Sequence, residues 1–179
     1  MKNMGVKLII DEYQTELDDS KFFGEILLPN AWLEENVFSP TEMFLCQINL
    51  EQLYTEIGET LLPKTGMLYF FIDYGKKLTA KVRYFDGELD GYTCFNEDWE
   101  DDFDAITDLS VEFARGEDGV VLLANTQDLF GDDVCLLKVN TADEDVLDIN
   151  LAPNKTLYFM IDKKALLSRD FDKVVLKIL

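Results

Sequence analysis

The chain has 179 residues, 47% apolar and 29% charged, with 13 Phe, 7 Tyr and only 4 Pro. This composition excludes global disorder and suits one domain whose core buries about 70% of the unfolded surface. Sixteen Lys and Arg stand against 36 Asp and Glu, for a formal net charge of −20, and there is no His. That charge repels phosphate backbones and anionic lipid, so neither a nucleic-acid nor a membrane partner is expected. The missing imidazole excludes Ser-His-Asp and Cys-His nucleophiles, His-ligated metal and a neutral-pH imidazole switch.

Residues 6–10 form a short apolar stretch interrupted by Lys7, without the length and small-residue cleavage site of a signal peptide. No apolar run approaches the roughly 20 residues of a membrane helix, and the expected location is the cytoplasm. Cys46, Cys94 and Cys135 are odd in number and lack a CxxC spacing, so neither a disulfide framework nor a zinc knuckle is expected. Cys46 and Cys135 lie in apolar segments and read as buried small hydrophobes.

Residues 44–48 are a β-branched and aromatic run fit for a strand. Asn49 then offers a helix N-cap with Gln52 three residues on, and Leu50, Leu53, Tyr54 and Ile57 trace one face of an amphipathic helix stopped by Gly58. Pro63-Lys64-Thr65-Gly66 reads as a turn whose glycine takes positive φ. It feeds residues 68–72, apolar at every position and hence a strand buried on both faces. Asp73 ends that strand, and its carboxylate is expected to accept N–H groups of the next turn.

Residues 86–131 have a different character. Ten acids lie between Asp86 and Asp108 without one Lys or Arg. In Asp98-Trp99-Glu100-Asp101-Asp102-Phe103-Asp104 the two aromatics are four apart, so on a helical turn they present a pair of anchors ringed by carboxylate. That is the composition of a docking patch for a basic protein; the competing reading is a solvated loop that favours solubility. The cluster lacks the turn glycine and ligand order of an EF-hand, and no Gly-x-Gly-x-x-Gly or Walker loop occurs, so neither metal nor cofactor is expected. Leu109-Ser110-Val111-Glu112-Phe113 alternates as a half-exposed strand, followed by the turn Gly116-Glu117-Asp118-Gly119.

The last part of the chain repeats an earlier one. Leu62-Pro63-Lys64-Thr65-Gly66-Met67-Leu68-Tyr69-Phe70-Phe71-Ile72-Asp73 aligns, 89 residues on, with Leu151-Ala152-Pro153-Asn154-Lys155-Thr156-Leu157-Tyr158-Phe159-Met160-Ile161-Asp162, and six of the twelve positions are identical. Upstream, Gln47-Ile48-Asn49 answers Lys138-Val139-Asn140 if the second copy has a loop two residues shorter, and Thr141 with Glu144 repeats the capping spacing. Downstream, Lys81-Val82-Arg83-Tyr84-Phe85 answers Lys173-Val174-Val175-Leu176-Lys177. Each unit, residues 44–85 and 135–179, reads as strand, short helix, strand, strand, and an acidic region, 86–131, connects them. With no Pro/Ser-rich linker, the expectation is one domain over residues 1–179, of α+β class, with a central mixed or antiparallel sheet. Eleven of the 16 cations fall in residues 64–83 and 155–177.

Ser20-Lys21-Phe22-Phe23-Gly24, Pro29, Phe44-Leu45-Cys46-Gln47-Ile48-Asn49-Leu50 and the string from Leu62 to Asp73 together resemble the YwqG-like family of bacterial domains of unknown function. Leu136-Leu137-Lys138-Val139-Asn140, Tyr158-Phe159-Met160-Ile161-Asp162 and Arg169-Asp170-Phe171 resemble its closing segment. The resemblance runs from residue 20 to the C-terminus. It implies an α+β fold with internal duplication and supplies no activity.

No catalytic residue can be nominated from these patterns. The leading reading is a non-enzymatic cytoplasmic interaction protein that binds a basic protein partner through Asp98, Trp99, Glu100, Asp101, Asp102, Phe103 and Asp104. A concrete form is an immunity-like protein covering the cleft of a cationic toxin domain. The alternative is a small-ligand binder, or a carboxylate-dependent hydrolase, with a cleft between the two repeats where aromatics meet Gln47 and Asn49. Oligomeric state is left open.

Overall fold

Runs of β-branched and aromatic residues punctuated by Gly, Asn and Asp dominate the chain, and they fold as strands. The computed structural model describes residues 4–94, 108–140 and 154–179. Its strands are β1 (Val6–Asp11), β2 (Lys21–Phe22), β3 (Ile26–Leu28), β4 (Glu42–Asn49), β5 (Met67–Asp73), β6 (Thr79–Phe85), β7 (Gly91–Thr93), β8 (Leu109–Arg115), β9 (Val120–Ala124), β10 (Val134–Asn140), β11 (Thr156–Ile161) and β12 (Val175–Ile178). The helices are α1 (Asn30–Glu34), α2 (Leu50–Ile57), α3 (Gln127–Phe130) and α4 (Lys163–Leu167).

The α+β expectation is overturned. Of the described residues 43% are in strands and 17% in helices, and ten strands form one nearly closed, barrel-like antiparallel sheet. Their order is β12-β11-β10-β9-β1-β8-β2-β4-β5-β6, with β3 and β7 forming a separate pair. The physical reason is the shortness of the helices: α2, the longest of the four, has eight residues. Elements of one or two turns cannot form a packed helical layer, and they serve instead as connections and covers. The centre of the sheet comes from the unrepeated segments. β1 pairs with β8 from Val6 opposite Arg115 to Asp11 opposite Ser110, and also with β9.

Around this centre stand two meanders, β4-β5-β6 and β10-β11-β12. Each first strand bulges at the same place: the register slips between Phe44 and Cys46 against β5, and between Cys135 and Leu137 against β11. The bulged residues Leu45 and Leu136 both lie fully buried in the interior. In the third strands Val82 faces Phe70 and Leu176 faces Phe159. Val82 therefore corresponds to Leu176, two residues beyond the Val174 of the sequence alignment. A 3-10 turn at Phe171–Lys173 takes up the difference.

Phe70 and its counterpart Phe159 meet edge to face inside the barrel, with centroids 5.3 Å apart at 89°. They sit in a continuous core filled by side chains from β1, β4, β5, β8, β9, β10 and β11. The outward residues of the meanders are covered separately. Phe44, Tyr69 and Phe71 lie under a flap formed by β3, α1 and the segment around Phe38, while Cys135, Tyr158 and Met160 lie under Phe130 of α3. This explains why β5, next to an edge strand, is apolar from Met67 to Ile72. Its inner face fills the barrel and its outer face meets the flap.

β6 and β12 end the strand order, and their Cα atoms approach within 8 Å without a ladder between them. Side chains bridge this seam instead. Tyr84 packs on Phe171 at 5.7 Å, and the Arg169 guanidinium lies 5.4 Å over the Tyr84 ring.

Candidate functional site

Asn49 and Gln47 lie two apart on β4, so their side chains leave the same face of the strand. Asn49 caps α2, its Oδ1 accepting from the N–H of Glu51 and of Gln52 at 3.1 and 3.2 Å, and its Nδ2 donates to the Asp18 carbonyl at 2.9 Å. Gln47 is fully buried, and its Nε2 donates to the carbonyls of Leu17 and Asp19 at 2.8 and 2.7 Å. Its Oε1 has no partner among the described residues. Together they hold the loop that leads into β2 against the sheet. Gln52 does not close a capping box; its Oε1 accepts from the Ser20 N–H at 3.2 Å, tying the same loop to the helix.

Lys21, opposite Gln47 in the ladder, is buried as well; its ammonium donates to the Glu25 carbonyl at 3.0 Å and lies 3.8 Å from Asp108. Burial lowers its pKa below the ordinary lysine value, while Asp108 pulls the other way. The chain then turns through Phe23 and Gly24, both at positive φ, and a Cβ on Gly24 would stand 2.6 Å from the Asp108 Cβ. Arg83 forms a largely buried pair with Glu42 at 2.8 Å, its guanidinium 4.7 and 4.9 Å from the rings of Phe38 and Phe71. Each of these buried charges is engaged by a structural neighbour. Asp73 and Asp162 act as turn acceptors too: Asp73 takes the Gly75 N–H at 3.0 Å, and Asp162 caps α4.

A separate cavity lies at one rim of the barrel. It is a cleft of about 660 Å³ between Met4, the Glu59-Thr60-Leu61 stretch after α2, Arg115 at the end of β8, the end of β9, and the stretch from α3 into β10. Its walls are held by Glu117. One carboxylate oxygen of Glu117 accepts from the Gly5 N–H and the other from the Asn125 N–H at 3.0 Å, so the start of β1 and the β9–α3 turn are clamped together. Lys138 donates to the Glu117 carbonyl from beneath. Leu123, on the wall, has φ of 52° inside a strand, a conformation that costs an L-residue about 1–2 kcal/mol and persists only where neighbours enforce it.

Chemically the cleft is an apolar trough with acidic lips. Leu61, Leu123, Ala124 and Val134 contribute apolar surface, while Glu59, Asp132 and Asp133 contribute carboxylates. Glu59 is engaged by Lys64 at 3.1 Å, and Arg115 donates to the Met4 carbonyl at 3.2 Å. Asp132 and Asp133 are exposed and make no ion pair among the described residues. Burial pushes the Cys135 thiol up to about 12 and raises Cys46 well above its usual value, so neither supplies a thiolate nucleophile at neutral pH. Among the described residues no three Cys, Asp or Glu side chains group as a metal site would require.

Gln47 and Asn49 are thus brought together, but away from this cleft. Asp98, Trp99, Glu100, Asp101, Asp102, Phe103 and Asp104, with Thr141 and Glu144, lie outside the described residues. The cleft escaped the sequence reading because its walls come from five separated stretches. The signal that could have pointed to it is Gly131-Asp132-Asp133, a glycine and two acids placed directly before an apolar strand.

A family model described as "Domain of unknown function (DUF1963)" matches residues 20–88. That stretch holds the Lys21 turn, the flap up to Glu88 and the whole first meander. No curated protein matches the chain.

Proposed function

We propose that the protein is a non-enzymatic, cytoplasmic binding protein that engages a basic protein partner through its acidic surface. The observation that carries this reading is the segregation of charge. The two cation-rich stretches supply both open edges of the sheet, and the near closure of the barrel sets them side by side: Lys81 on β6, Lys173 and Lys177 on or beside β12. A chain with 36 acids against 16 cations thereby sets exposed cations from two separate strands at one seam. An acidic surface steers cationic proteins and fixes their orientation.

Two further features support it. Among the described residues the barrel interior is packed with apolar side chains. The buried charges are spent on structural contacts rather than aimed into the cleft. The buried thiols of Cys46 and Cys135, neither in a disulfide, suit a reducing compartment. A YwqG-like membership is the narrower reading within the matched family of unknown function, and an immunity-like role is the concrete form that an adjacent toxin gene would favour.

The test is affinity capture from a host lysate in low and high salt, alongside a variant in which Asp98, Glu100, Asp101, Asp102 and Asp104 are replaced by Asn or Gln. The expected result is one or a few basic proteins, released by salt and retained less by the variant. Capture indifferent to both changes, or no capture, would refute the reading.

A further inference from the structure

We infer that the rim cleft is the docking site for a basic, partly apolar stretch of the partner polypeptide, with a Lys or Arg stem on its apolar floor and the charge held by Asp132 and Asp133. This rests on the binding reading above and assigns it to a particular place.

The size, the floor and the charge each favour this occupant. About 660 Å³ falls in the range of roughly 300–1,000 Å³ typical of ligand pockets, enough for more than one side chain. Met4 and Leu61 remain 54% and 42% exposed, and with Leu123 and Val134 they offer the apolar surface along which a Lys or Arg methylene stem lies while its head reaches polar groups. The head would meet Asp132 and Asp133. Arg115 in the same wall offsets one carboxylate, so the lining stays net negative: an acidic segment would be repelled there, and a neutral apolar one would strip water from two carboxylates without compensation. The trough is also built rather than incidental, because Leu123 is held at positive φ and Glu117 ties both of its sides.

The inference is tested by fluorescence anisotropy, using a labelled peptide of alternating Lys and Leu and its Glu/Leu and Ser/Leu counterparts in about 50 mM salt. The Lys/Leu peptide should bind saturably at one per chain, and the Glu/Leu peptide should not. The exposed double substitution Asp132→Asn with Asp133→Asn should weaken binding about 10-fold, and Leu61→Gln should weaken it independently. If the Lys/Leu peptide binds wild type and both variants alike, or fails to bind, the cleft assignment is wrong. The capture experiment above then decides the binding reading separately. If the Ser/Leu peptide binds as tightly as Lys/Leu, the occupant is apolar rather than basic and the assignment is likewise overturned.

Discussion

Tyr69 shows how a single side chain joins the barrel to its cover. Its ring is fully buried between β5 and the flap, and its hydroxyl donates to the Leu27 carbonyl at 2.6 Å. Burial raises its pKa far above the ordinary phenol value. A folded-state value raised above the unfolded one means that the neutral phenol contributes stability in full below about pH 10, lost as pH climbs toward the folded value. Tyr69→Phe should therefore cost about 1–2 kcal/mol near neutrality. In urea unfolding at several pH values the gap from wild type should shrink above about pH 10, because only the wild type carries this phenol. Cys135, also raised by burial, is common to both proteins and cancels. A gap that stays constant with pH would contradict this account of Tyr69. At this scale the Asn49 cap and the positive φ at Gly66, at 96°, were legible in the sequence, since both are set by immediate neighbours. The role of Gln47 was not, because the carbonyls it holds belong to Leu17 and Asp19, some thirty residues upstream.

Among the elements, the two meanders share a bulge, an outer cluster and an inner contact, and Phe70 against Phe159 is where the copies touch. Phe70→Leu and Phe159→Leu should each destabilise by about 1–2 kcal/mol. In a double-mutant cycle measured by urea unfolding, the pair should fall short of additivity by about 0.5–1.5 kcal/mol. Additive losses would mean that the copies do not support each other. The repeat itself was plain in the sequence because the stretch from Leu62 to Asp73 recurs so closely. The third strand was misaligned by two because Val174, apolar and next to Val175, imitates a strand start although it closes a 3-10 turn. The barrel was hidden for another reason. β1 gains its identity only by pairing with β8, with Val6 opposite Arg115 across more than a hundred residues, and no local pattern encodes such a contact. The amphipathic pattern after Asn49 reads locally as the helical part of an α+β fold, yet the helix it forms has only eight residues, too few to make a layer.

For the whole molecule the governing quantity is the distribution of its charge. The composition argues against polyanionic partners, and the barrel adds a direction by joining the two cation-rich edges at one seam. A surface of this kind attracts a basic partner over a range set by salt, about 10 Å at 0.1 M and a few ångströms at 1 M. Contacts dominated by apolar burial would weaken little over that interval. The most direct test of the central claim is a calorimetric titration of the captured basic partner into the protein at low and at high salt. An acidic docking surface predicts one-to-one binding that weakens by about 10-fold or more between about 50 and 500 mM salt; an affinity unchanged or tightened across that range would contradict it.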